Sequence, residues 1–104
     1  MRRVEIINQI ASKMKEIAPW AKTILYGSEA RGEAGPDSDI DLLILVPNEF
    51  KKDYNKIRMD IYDHLFELEL ENDIIISPLI ILKEMWLSKK TPFTINVTND
   101  GIIL

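Results

Sequence analysis

Residues 23–46 read Thr23-Ile24-Leu25-Tyr26-Gly27-Ser28-Glu29-Ala30-Arg31-Gly32-Glu33-Ala34-Gly35-Pro36-Asp37-Ser38-Asp39-Ile40-Asp41-Leu42-Leu43-Ile44-Leu45-Val46. The first four residues are apolar and β-prone and stop at a glycine, as a buried strand does. The stretch from Ser28 to Ser38 is small, polar and turn-rich, with Gly32, Gly35 and Pro36 inside it. Ile40 to Val46 is a second strand, closed by Pro47-Asn48. Two strands of this kind, joined by one short polar segment, decide the fold class.

Working outward, Ile7, Ile10, Met14 and Ile17 recur at three- and four-residue steps and predict an amphipathic helix over 3–18, ended by Pro19. A long helix is expected over roughly 50–70, with Tyr54, Ile57, Ile61, Leu65 and Leu68 as its apolar stripe. Ile74-Ile75-Ile76 and Leu79 to Leu82 read as a third strand. Ser77-Pro78 interrupts it, and proline cannot donate to a ladder, so this strand lies at an edge or bulges. Residues 92–100 read as a short helix ended by Gly101, leaving Ile102-Ile103-Leu104 as a terminal strand. The expectation is one domain over residues 1–104, of α/β (α+β) class, with helices packed on a small mixed sheet.

Composition agrees with a soluble globular domain: 46% hydrophobic and 29% charged residues in 104. There is no cysteine, which excludes disulfides and thiolate metal sites and leaves oxygen ligands or the lone His64. The longest apolar runs fall far short of the ~20 residues a membrane helix needs. The N-terminus, Met1-Arg2-Arg3-Val4-Glu5, leads into an amphipathic pattern and not into a signal core. A cytoplasmic location is expected. A net charge of -4 argues against broad binding to nucleic-acid backbones. A polyanionic substrate of so acidic a protein would need a cation between the two.

Asp39 and Asp41 supply the place for that cation. Residues two apart on a strand share a face, so the carboxylates lie side by side. Like charges this close resist joint ionisation unless a cation separates them. Mg²⁺ suits such a pair, completing its shell with water and substrate phosphates. At the Gly27-Ser28 turn no side chain stands between a phosphate and the backbone N–H groups, and Ser28 adds a hydroxyl. A helix beginning there would add its own free donors. Arg31 either contacts phosphate or pairs with a neighbouring acid. The segment lacks the Gly-x-x-x-x-Gly-Lys pattern of a phosphate loop of the Walker type.

Together Gly27-Ser28, Ala30-Arg31-Gly32 and Ser38-Asp39-Ile40-Asp41-Leu42 resemble the signature of the minimal nucleotidyltransferases in the DNA polymerase β-like superfamily. The order of elements is also similar, so the resemblance spans most of the chain. It implies a nucleotidyltransferase fold and Mg²⁺-dependent transfer of a nucleoside monophosphate, AMP from ATP in the reading taken here, with release of pyrophosphate. By residue match, Gly27 and Ser28 contact the triphosphate, with Arg31 beside them, and Asp39 and Asp41 bind metal. The family's active members carry a third carboxylate on the next strand. Asp73 is the best candidate for it here; Glu71 and Glu69 are the alternatives, with Glu69 fitting the exposed helix face better. A register that places Ser77 there instead leaves the third acid missing.

The acceptor implied is a protein or nucleic-acid hydroxyl. Short members of the family often pair with small helical proteins, as antitoxins or accessory subunits, so a helical partner or a homo-oligomer is expected. Met59, Tyr62 and Phe66 form a second apolar row on the long helix that such a partner would cover. His64 reads as a partly exposed helix residue, Trp20 and Trp86 as core, and Lys51-Lys52 and Lys89-Lys90 as solvated charges.

Overall fold

The computed structural model describes residues 2–104. Along the chain run α1 (Arg2–Ile17), β1 (Lys22–Tyr26), the one-turn helix α2 (Gly27–Ala30), β2 (Ile40–Val46), a 3-10 helix (Asn48–Asp53), α3 (Tyr54–Asn72), β3 (Ile76–Leu82), α4 (Lys83–Leu87), α5 (Pro92–Asp100) and β4 (Ile102–Ile103). The strands form one sheet in the order β3-β2-β1-β4. β1 pairs antiparallel with β2 and with β4, whereas β2 and β3 run parallel. The sheet is mixed, as expected, and the strand containing Pro78 lies at its edge.

Side-chain alternation along β2 divides the interior into two layers. Ile40, Leu42, Ile44 and Val46 pack against Ile6, Ile10 and Met14 of α1 and Ile61, Leu65 and Leu68 of α3. On the opposite face Leu43 and Leu45 meet Trp86 of α4 and Val97 of α5. β2 therefore reads as a continuous apolar run because both of its faces are covered. Asp41 belongs to the second face, one step before Leu43, where the covering thins out at the strand's start.

The third strand begins later than its apolar run suggests. α3 extends to Asn72, Asp73 turns the chain in the left-handed region at φ 51°, and pairing starts at Ile76. Glu69 sets that start: it is half-buried and accepts a 2.6 Å hydrogen bond from the Ile76 backbone N–H. It therefore does not belong to the exposed face expected for it. Trp86 is buried and Trp20 stacks on Phe50, in keeping with core roles. No helix among the described residues is long and apolar enough to cross a membrane.

Candidate active site at the end of β1

β1 ends and β2 begins at the same end of the sheet. Register pairs Tyr26 with Asp41 across the antiparallel ladder, and Asp41 with Ser77 across the parallel one. Gly27 follows Tyr26 at φ 75°, a conformation that side chains resist. A Cβ added to Gly27 would stand 2.6 Å from Oδ2 of Asp41. The glycine thus serves the turn and lets the backbone come up against the carboxylate. Gly27 itself opens α2, and Ser28 is the second residue of that single turn.

Asp39 is exposed and Asp41 half-buried. Burial pushes the Asp41 carboxyl above the usual carboxylate range, the neighbouring Asp39 charge adds to this, and Arg31 opposes it. The phenol of Tyr26 is likewise raised, first by burial and then by the Asp41 charge. Arg31 pairs with Glu33 at 3.2 Å on the surface, yet lies near enough to Asp41 to act on its charge. Both readings of Arg31 are therefore compatible with its position: the ion pair is exposed and easily exchanged for a phosphate.

A hydroxyl stands beside the acidic pair. Ser77 Oγ lies 3.5 Å from Oδ2 of Asp39, donating along the edge of the site. Asp73 is at the C-terminal cap of α3, exposed and four residues short of Ser77. Asp39, Asp41 and Asp73 do not form a group placed to hold a metal, because the left-handed turn at Asp73 and residues 74–75 lie between it and the first ladder partner, Ile76. Among the described residues, no group of three His, Cys, Asp or Glu side chains is placed to hold a metal ion. The pair Asp39–Asp41 with the Ser77 hydroxyl is nonetheless an all-oxygen donor set, which a hard divalent cation accepts.

Sequence reading missed the aromatic wall of the site. Phe93 of α5 packs edge-on against Tyr26 with ring centroids 5.6 Å apart, and Trp86 packs on Phe93 at 6.1 Å. A cavity of about 170 Å³ opens there, lined by Tyr26, Gly27, Arg31, Phe93, Asn96 and Asp100 among others. No local signal in 92–100 announces which sheet face α5 will cover.

A mixed sheet that sets a glycine–serine turn against paired carboxylates is the arrangement the nucleotidyltransferase resemblance implies. The chain belongs to the nucleotidyltransferase domain family, whose model matches residues 7–103. It is 36% identical over 104 residues to a Methanocaldococcus jannaschii protein named "putative protein adenylyltransferase", with 95% of this chain and 98% of the relative covered.

Proposed function

We propose that this chain transfers AMP from ATP to a hydroxyl group of a protein, or of a nucleic acid, in a Mg²⁺-dependent reaction. The observation that carries the reading is the approach of Gly27 to Asp41, so close that a methyl group would not fit. A phosphate donor surface and a carboxylate pair are thereby made one site. Asp39 and Asp41 would hold the Mg²⁺, which supplies charge neutralisation to the phosphates and polarises them toward attack. Gly27 and Ser28 would receive the triphosphate, and Arg31 would exchange Glu33 for a phosphate oxygen. The acceptor oxygen bonds to the α-phosphorus as the bond to pyrophosphate breaks. The adenylyl donor and protein acceptor are suggested by the name of the Methanocaldococcus jannaschii relative.

Incubation with labelled ATP, Mg²⁺ and a candidate acceptor tests this. Label should reach the acceptor with the natural protein and not with the double variant Asp39→Asn, Asp41→Asn. Transfer that survives in the variant rules out the assigned pair.

A second reading is favoured by Ser77. A serine hydroxyl is a poor proton acceptor at neutral pH, so a site built this way would bind nucleotide and turn over slowly, acting as an antitoxin-like or accessory subunit through a helical partner. Met59, Tyr62 and Phe66 stay exposed on α3, as such a partner would require. Ser77→Asp separates the two readings. If the missing base limits the rate, the substitution raises transfer by at least ~100-fold, the lower reach of general-base effects. An unchanged rate means that the base is already supplied from elsewhere.

A further inference from the structure

The two halves of the site come from different places, and what holds them in register is not obvious from either. α2 is a single turn, too short to be stable by itself. The loop from Arg31 to Ser38 contains Gly32 and Gly35 and is tied within its own neighbourhood by short-range bonds: Arg31 N–H to Gly27, Gly32 N–H to Glu29, Glu33 N–H to Ser28, Gly35 N–H to the Ser38 hydroxyl, Ser38 N–H to Gly35, and the exposed Arg31–Glu33 pair. Arg3, in the first turn of α1, reaches across this gap. Its Nε donates to Oε1 of Glu29 in α2 at 2.6 Å, its Nη2 to the Ser38 carbonyl at 2.9 Å and its Nη1 to the Pro36 carbonyl at 3.2 Å. The Arg3 and Glu29 side chains are only 16% and 13% exposed, so water competes little for these bonds.

We propose that Arg3 is a positioning residue, a brace that holds the Gly27–Ser28 turn and the Asp39 approach in one frame. The proposal rests on the nucleotide-transfer reading above for its functional half. One prong grips the helix that follows the turn, and two grip the strand of loop that leads into Asp39. Only the planar fork of a guanidinium presents donors in three such directions. The brace is anchored well, because Ile6 and Ile10 of the same helix are sealed in the core. A loose loop would let the turn and the acids drift apart, and displacements of this order cost binding and rate steeply.

The test uses the full chain in two measurements. Amide hydrogen exchange is followed without nucleotide, and binding of Mg²⁺ with a non-hydrolysable ATP analogue is followed by calorimetry. Arg3→Gln should speed exchange at Gly32, Glu33, Gly35 and Ser38 while leaving Leu42 to Leu45 protected. Nucleotide binding should weaken by ~10-fold, as for other residues that orient a site from outside it. Arg3→Lys should restore the contact to Glu29 but not the protection of Ser38. Glu29→Ala should loosen Gly32 and Glu33 and spare Ser38. Unchanged exchange in Arg3→Gln overturns the brace, as does full protection of the loop by lysine. If the natural protein binds no Mg²⁺–nucleotide, the transfer reading falls, and the exchange result still decides the brace.

Discussion

Gly27 carries two constraints that a single residue type can meet. Its φ of 75° costs a side-chain-bearing residue ~1–3 kcal/mol. The Cβ would add a collision with the Asp41 carboxylate. Gly32 has nearly the same φ, 74°, but nothing within 4 Å of its would-be Cβ. Gly27→Ala should therefore destabilise more than Gly32→Ala, as read from urea midpoints, and should also abolish nucleotide binding. Equal losses would remove the collision from the account. Asp41 makes a different prediction. Its folded carboxyl is raised by burial and by Asp39, so it holds its proton to a higher pH than in the unfolded chain, where the value is ~3.9. The associated stability is present below the unfolded value and is lost as pH rises through the folded one. At neutral pH the ionised group works against the fold. Asp41→Asn should raise the melting temperature in the absence of divalent cations, with the gain over the natural protein shrinking as pH falls below the carboxylate range. Added Mg²⁺ should stabilise the natural protein and leave the variant unmoved. A variant melting below the natural protein at neutral pH would contradict the crowding.

At the scale of elements, α5 is the helix whose ends are best specified. Thr91 caps it with a reciprocal bond to Thr94, and Pro92 occupies its first turn. Thr91→Ala should cost ~1 kcal/mol, measured by thermal or urea unfolding, and should loosen Phe93 on Tyr26. Such boundaries were legible because proline and capping residues act locally: Pro19 stops α1 and Pro47 closes β2 in the places expected. The beginning of β3 was not. Ile74, Ile75 and Ile76 are indistinguishable by hydrophobicity, and their roles are set by where α3 ends and by the Glu69 bond to Ile76, neither of which periodicity encodes. That small displacement leaves Asp73 at the cap of α3 and sets Ser77 opposite Asp41 in the ladder. α4 escaped reading for a related reason. It follows β3 with no punctuation and is held by burial of Trp86 and by the bond between Asn48 and Glu84. The Gly27–Asp41 half of the site was readable because its residues are contiguous and each has a stereochemical reason. The aromatic wall and the Arg3 contacts join segments far apart in the chain.

For the molecule as a whole, two buried layers account for the folded state, and the outer face of α3 contributes little to it. Met59 and Phe66 are 60% and 56% exposed. Phe66→Ser should change stability by no more than ~0.5 kcal/mol, as for surface positions generally. If α3 is where a second protein docks, the same substitution should diminish association in sedimentation experiments. A large loss of stability would show instead that the row is structural. The two tryptophans sit in different layers. Trp20 lies on Phe50, on the side of α1 and α3. Trp86 touches Phe93, which touches Tyr26, which pairs with Asp41. With Trp20 replaced by phenylalanine, the protein would possess a single tryptophan, Trp86, at the end of that aromatic relay. Its emission would then serve as a label-free optical gauge of occupancy at the carboxylate pair.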